Sequence, residues 1–360
     1  MIILALESSC DETSAAVVER YDGGFRVLSN VIASQIETHR LYGGVVPEIA
    51  SRAHIEAISK ITYEAMDTAG VKIQDIELVA VTANPGLIGA LLVGVNFAKA
   101  FAIANGIPLV AVDHIKGHIA AAYLAPDSDA PTPPFLALAI SGGHTSIYKV
   151  DSYTEYHTIG RTRDDAIGEA YDKVGRLIGI EYPAGRGFDA LATDGFAKAT
   201  GECDDPYKKY KKSDAYKNGG MVLPSPALSD GSLDFSFSGL KTAAVNLLNK
   251  YKMQGIEPDR ALFAGRYTYE ATEAVAKKIK EAISQNPGCD LVVAGGVAAN
   301  SHIRKRLSQL SCDAGIHLFI PPLSYCGDNA AMIAAQGYYE YQNGNISDSA
   351  LNASAQDFEE

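Results

Sequence analysis

The chain has 360 residues, 47% hydrophobic and 21% charged. At roughly 150 residues per domain it makes about two domains with substantial cores, which excludes a disulfide-stapled miniprotein or a disordered chain. Its 43 acidic against 31 basic residues leave a formal charge of −12, so no global positive field gathers nucleic acid and any such partner needs a local patch.

Met1 to Glu7 carries no basic leader and reads as a first strand rather than a signal peptide. Leu4–Val18 aligns with Leu136–Val150 at a constant offset of 132, with seven of fifteen positions identical. Each segment reads as apolar strand, small polar turn and second strand, so two related domains, each opening with a β-hairpin, are expected; the competing explanation is chance agreement of two generic hairpins. A helix is expected over Pro47–Ala69, a strand over Leu78–Thr82, a helix to Ala104 and a strand over Pro108–Val112, the alternation of α/β architecture. The uncharged run from Leu78 to Ala98 has the length of a membrane span, but Asn84-Pro85-Gly86 punctuates it, so a soluble strand, turn and buried helix are expected, with no membrane.

Four prolines between Ala125 and Pro134 mark the interdomain linker. The expected organisation is an N-terminal domain over 1–125, a linker over 126–134 and a C-terminal domain over 135–337 with inserted helical and Lys/Tyr-rich segments. A C-terminal helix and loose tail over 338–360 would pack back on the first domain. Within the second half, a helix is expected from Thr162, as N-cap, to Ile180, with Asp164 and Asp165 in its first turn. Further helices are expected over Ala264–Ser284 and from Gly327-Asp328-Asn329 through Gln336, with a buried strand over Leu291–Ala294. The polar residues Asn345–Glu360 read as loosely held.

Several groups of residues can carry chemistry. His114 and His118 stand four apart where a helix begins, so both imidazoles can face one metal ion; two unrelated histidines at a helix start are the bland alternative. Ile115 stands where a zinc protease needs its glutamate base. Asp328 is a candidate third ligand, or an ordinary helix N-cap. A His/His/Asp set with open positions suits a catalytic divalent ion such as iron or zinc. The turns at Ser141-Gly142-Gly143, Gly185-Arg186-Gly187 and Gly295-Gly296 let backbone amides approach phosphate without a P-loop, although singly each is only a tight connection. Asp172, on the polar face of the helix from Thr162, and Asp189 can hydrogen-bond sugar hydroxyls near the glycine turn, with a merely solvated face as the alternative. Asp11 and Glu12 put two carboxylates at the first hairpin turn, where a general base can sit, with a turn-stabilising role as the alternative for Asp11. Lysines and tyrosines interleave from Tyr207 to Lys217, and Arg304-Lys305-Arg306 is also basic, as for phosphate contact and base stacking or for a solubilising loop. The cysteines Cys10, Cys203, Cys289, Cys312 and Cys326 form no CxxC pair, which argues against a disulfide framework or zinc ribbon and points to a reducing, cytoplasmic compartment.

Taken together, ESSCDETSAA from Glu7, HIKGH, ISGGHT, DDAIGEAYDKV, FSFSGLKTA, GGVAAN and CGDNAAM closely resemble the bacterial TsaD family, in family order from Met1 to about Gly337. The resemblance implies an actin-like (ASKHA, sugar-kinase/Hsp70-type) α/β fold of two related domains with the active site in the interdomain cleft. It implies transfer of threonylcarbamoyl from threonylcarbamoyl-AMP to N6 of the adenosine immediately 3′ of the anticodon, in tRNAs reading codons that start with A. By the same resemblance, His114, His118 and Asp328 hold one divalent ion, usually Fe(2+), with zinc as the other choice. Ala139, Ile140, Ser141, Gly142, Gly143, Asp172, Gly185, Asp189 and Asn300 bind the adenylate. The implied partners are tRNA, an inactive TsaB-like paralogue and a small TsaE-like ATPase. The chain departs from the family at Pro183-Ala184-Gly185-Arg186, where PGGP is common, and in a longer Lys/Tyr-rich stretch. The alternative function is that of an actin-like ATPase or small-molecule kinase, which would turn over ATP alone and tolerate loss of the histidines.

Overall fold

Alternation of side chains dictates the first sheet: Ile3 and Ala5 face one side of β1 (Ile2–Glu7), Leu4 and Leu6 the other, and all four are fully buried. The computed structural model describes residues 1–126, 129–201, 205–226, 228 and 230–356; Cys203, Asp127 and Ser128 lie outside them. After β1 come β2 (Glu12–Tyr21), β3 (Gly24–Ser34), α1 (Ile36–Arg40), α2 (Pro47–Ala69), β4 (Leu78–Asn84), α3 (Ile88–Asn105), β5 (Leu109–Asp113) and α4 (His114–Ala120). The second half holds β6 (Phe135–Ile140), β7 (Thr145–Val150), β8 (Tyr156–Arg161), α5 (Ile167–Leu177), α6 (Gly185–Thr200), α7 (Pro206–Tyr210), α8 (Asp214–Asn218), α9 (Ser238–Met253), α10 (Arg260–Gln285), β9 (Asp290–Ala294), α11 (Ser301–Ala314), β10 (Leu318–Phe319) and α12 (Ala330–Gln342).

The two sheets repeat one topology, β3-β2-β1-β4-β5 and β8-β7-β6-β9-β10. In each, the opening hairpin is antiparallel and the next two strands join in parallel. Register repeats as well: Leu4 pairs with Val17 and Leu136 with Lys149, the same offset of 132 on both strands. Several identities shared by the two hairpins do structural work. Ser14 Oγ accepts the Ala330 amide that opens α12, and Thr145 Oγ1 accepts the Ile167 amide that opens α5, both at 3.0 Å.

Three apolar layers build the core. Leu4, Leu6, Val79 and Val81 meet Ile58 of α2 and Val95 of α3. Ile3, Ala5, Val110 and Val112 meet the apolar residues Ala330–Ala335 of α12, in a layer that also contains Phe135, Ala137 and Val292 of the second sheet. On the far side, Leu136 and Leu138 pack with Val174, Phe188, Tyr267 and Ile279. The order is therefore helices, sheet, α4 and α12, sheet, helices. Although α3 is long and apolar enough to cross a bilayer, it packs on β4 and α2 through Val95, Ala98 and Ala102, as a core helix.

Four local expectations are corrected. Thr162 does not cap a helix: it bridges Phe235, and α5 starts only at Ile167, because Asp164 is drawn to the amides of Phe237 and Ser238 at the start of α9. Asp165 binds Lys173 and Lys241 outside the helix. The division drawn at 337 falls inside α12, a continuous helix lying on the first sheet, where a Cβ on Gly337 would stand 2.5 Å from Ala80 Cβ. The tail is not loose through its described part: Ser347 bridges Leu109, the Leu351 carbonyl accepts from Lys99 Nζ at 2.8 Å, and the Ser354 amide donates to Ala83 at 2.9 Å.

Candidate functional site

The short strand β5 ends in Asp113, whose Oδ1 accepts the amides of Ile115 and Lys116 and so caps α4. Asn84 at the end of β4 donates to the other oxygen at 2.7 Å, which fixes the helix start to the sheet. One turn then places His114 and His118 on a common face with ring centroids 4.5 Å apart. Asp328 comes from the far end of the chain. The cap of α12 is Asn329, whose Oδ1 accepts the Met332 amide at 3.1 Å, so the expected capping role of Asp328 falls one residue later and its carboxylate is left to the histidines. Its Oδ1 lies 3.2 Å from His118 Nε2 and 3.7 Å from His114 Nε2. Potential ligand atoms of the three residues lie within 4.8 Å of one another.

These residues fit a divalent ion. His118 is 1% exposed, yet neither ring nitrogen has a hydrogen-bond partner of acceptable geometry among the described residues. Such an orphaned buried imidazole is expensive unless something else occupies its lone pair. Against the upward push of burial, His114 and His118 hold the Asp328 carboxyl well below the usual range, and Glu7 and Asp328 hold His114 up at about 9 although burial opposes it. Two imidazoles and a carboxylate with further positions open are a donor set that suits a divalent ion, which on binding would displace the proton from His114.

Around this trio the two hairpin turns face the cleft with different chemistry. In the first, Glu12 Oε1 accepts from Ser34 Oγ at 3.2 Å, and burial together with the Asp328 and Asp11 charges pushes its carboxyl up to about 9. Asp11 is buried, and its backbone carbonyl accepts from Gln35. At the equivalent place in the second, His144 is pushed down to about 4 by burial and by His114 and His118. Sequence reasoning quoted His144 inside a glycine turn without assigning it, and the only signal was its place in that turn. Glu7, which contacts His114, was missed as well, because a carboxylate ending an apolar strand has no distinguishing spacing.

Of the adenylate positions expected from the sequence, Ala139 to Gly143 lie at and just past the carboxyl end of β6 and Asn300 follows β9, where open α/β sheets bind ligands, while Asp172 lies on α5 and Gly185 and Asp189 on α6. Ala139 and Ile140 end β6. A Cβ on Gly295 would collide with the Ile140 carbonyl, and one on Gly168 would lie 2.5 Å from the Ser141 carbonyl, so the β9 turn and α5 are drawn against that strand end. Added Cβ atoms on Gly142, Gly143, Gly185 and Gly296 would meet nothing within 4 Å, leaving their backbone open to a ligand. The polar members are engaged internally. Asp172 accepts the Ala184 amide at 2.7 Å and is raised by burial. Asp189 accepts from the Ser301 amide and hydroxyl at 3.0 Å, and Asn300 Oδ1 caps α11. Across the cleft, Arg40 Nε donates to the Tyr182 carbonyl at 3.3 Å. A separate cavity of about 930 Å³, lined by Ile115, Lys116, Tyr156 and Arg161, adjoins the other face of α4 and includes none of the trio.

The Lys/Tyr-rich segment differs from the expected stacking platform. Tyr210 is 2% exposed and packs edge-on to Phe196, while Tyr207 and Tyr216 donate to Glu273 and Glu270. Tyr210 is core and the half-buried Tyr207 and Tyr216 pack against it, which anchors this insertion to α6 and α10. Lys208, Lys211 and Lys212 instead border a cavity of about 340 Å³ with Lys305 and Arg306, so the fold brings the two basic runs together.

Residues 26–335 match the family model for TsaD, tRNA N6-adenosine threonylcarbamoyltransferase. The chain is 47% identical to the protein of that name from Thermodesulfovibrio yellowstonii, covering 99% of each chain. It is also 47% identical to the one from Geobacillus thermodenitrificans, over 98% of this chain and 95% of the relative. Among solved structures it resembles T. kodakarensis HypF at 14% identity and a TM-score of 0.53, over 97% of this chain and 49% of the other. The fold is the actin-like, ASKHA type, α/β with a duplicated mixed sheet. Sequence and structure together place the chain in the TsaD family of tRNA N6-adenosine threonylcarbamoyltransferases.

Proposed function

We propose that this chain transfers threonylcarbamoyl from threonylcarbamoyl-AMP to N6 of the adenosine 3′-adjacent to the anticodon in tRNAs reading ANN codons. The observation that carries the reading is the convergence of His114, His118 and Asp328 on one point of the cleft, in a chain of this family. These three residues would hold Fe(2+) or zinc, and the ion would supply Lewis-acid polarisation of the donor. The open glycine backbones at 142, 143, 185 and 296 receive the adenylate phosphate. Asp172 and Asp189 would take its ribose hydroxyls.

In the reaction the N6 nitrogen bonds to the carbamoyl carbon, the bond from that carbon to the phosphate oxygen breaks, and AMP departs with the electron pair. The amine proton needs an acceptor. Burial, Asp328 and Asp11 push the Glu12 carboxyl up to about 9, and we assign the acceptor role to Asp11 of the original pair. Replacing Asp11 by Asn should lower kcat by about 10²–10⁴-fold with little change in KM, whereas Glu12→Gln should cost less; equal and full activity of both variants removes the assignment.

Transfer RNA binding draws on Lys208, Lys211, Lys212 and Lys305 as phosphate contacts, since Tyr210 is buried and Tyr207 and Tyr216 are half-buried against the core. Charge reversal at Lys208 and Lys212 should weaken tRNA binding and flatten the salt dependence by roughly 0.7–0.9 per lost contact, while leaving donor binding unchanged. An inactive TsaB-like paralogue and a TsaE-like ATPase are the protein partners we propose, docking on α2 and α3, where Ile55, Tyr63 and Ile103 are exposed. The place of action is the cytoplasm.

The deciding experiment is nucleoside mass spectrometry of tRNA after depletion of this protein in its host, with rescue by wild type or by His114→Ala/His118→Ala. Loss of threonylcarbamoyladenosine, restored by wild type alone, is expected. Unchanged modification after verified depletion, with no second copy, defeats the tRNA reading and favours a free-standing ATPase or kinase.

A further inference from the structure

We propose that Glu7 is the positioning residue of the metal centre, holding His114 through its Nδ1 edge so that Nε2 faces Asp328 and His118. The inference rests on the metal reading above. Glu7 is fully buried at the end of β1. Its Oε2 stands 3.2 Å from His114 Nδ1, and Ser9 Oγ lies 3.1 Å from the same nitrogen. The carboxylate is itself held on both oxygens, since Oε1 accepts the Ser9 amide at 2.5 Å and Oε2 accepts Thr82 Oγ1 at 2.5 Å. It touches the ring edge away from Asp328, which lies 3.7 Å from Nε2. Glu7 therefore acts through the ligand rather than as one.

The duplicated fold provides an internal comparison. Glu7 pairs with Ser14 across its hairpin, and the equivalent residue Ala139 pairs with Ser146 across the other. Alanine thus completes the same strand end in the half that carries no histidine pair, so the hairpin does not require a carboxylate there. A buried carboxylate is costly unless it is paired and hydrogen-bonded. Here its partner is an imidazole that faces the carboxylate of Asp328 on its other side, the relay that fixes ring orientation and raises ligand basicity in metal sites. His118 Nδ1, with no hydrogen-bond partner among the described residues, has no such support.

The test is Co(II) binding to the purified full-length chain, followed by the visible absorption of the bound ion. Wild type, His118→Ala, Glu7→Ala and the near-isosteric Glu7→Gln are compared, and circular dichroism verifies that each apo-protein is folded. Glu7→Ala should lose roughly 10- to 100-fold in affinity with an altered spectrum. Glu7→Gln, which keeps an acceptor but not the charge, should lose less. Wild-type affinity and spectrum in both variants overturn the inference; if Glu7→Ala does not fold, the same result for Glu7→Gln alone does so. Absence of Co(II) binding to the wild type, with His118→Ala no different, overturns the metal reading and this inference with it.

Discussion

Asp164 shows how one side chain redirects a helix boundary. Placed ahead of α5, it looks like a first-turn carboxylate, but its oxygens receive the amides of Phe237 and Ser238 and the hydroxyls of Ser236 and Ser238. Those bonds hold its carboxyl below the usual range although burial opposes them. Asp164→Ala should destabilise the protein by about 1–2 kcal/mol, read from urea unfolding at pH 7. A depressed folded pKa stabilises above the unfolded value and is lost as pH falls, so the gap between wild type and variant should narrow below about pH 4. Asp328 carries the same lesson in reverse. Releasing the cap to Asn329 frees Asp328 for the histidines, so Asp328→Ala should abolish tight Co(II) binding and, by leaving the buried histidines without their carboxylate, lower the unfolding midpoint of the metal-free protein as well.

Among elements, close approach is set by glycine. On α6, a Cβ at Gly195 would run into the Ala261 carbonyl of α10, and on α12 a Cβ at Gly337 would crowd Ala80 and Val110. Substitution by Ala at either should cost about 1–3 kcal/mol through overpacking, measurable by denaturant unfolding. Spacing made α2, α3 and β9 legible within a residue or two, because their apolar period and flanking glycines or prolines are local facts. The insertion at 205–217 was less legible. A run of alternating Lys and Tyr does not say which residue type faces in, and that was decided by Phe196 and Tyr269 waiting on α6 and α10.

For the whole molecule, the back of the cleft is closed by aromatic stacking across the two halves. Tyr153 lies parallel to Tyr339 with centroids 3.9 Å apart, Gln336 donates to the Tyr153 carbonyl, and Tyr156 Oη donates to Gln336 Oε1. The tail completes the first domain from the other side by covering the edge of β5. Deleting residues 345–360 uncovers that edge and the apolar surface that Leu351 and Ala353 pack on. It should lower the thermal midpoint by on the order of 2–4 °C and promote association through the strand edge.

From the sequence by itself came the duplication, the α/β alternation, the histidine pair and its helix face. Each depends on periodicity or on residues a few positions apart, and backbone geometry converts such spacing directly into shared faces. The sequence offered Asp328 as a third ligand or as a helix cap; only tertiary structure decided between them, bringing it to the histidines from more than two hundred residues away, and only tertiary structure put Glu7 behind one ligand. The same is true of the two hairpin turns, Cys10-Asp11-Glu12 in one half and Gly142-Gly143-His144 in the other, which turn toward the one cleft. Contacts of that kind are fixed by how the two sheets pack around α4 and α12, and that packing sums many apolar contacts that leave no local trace in spacing.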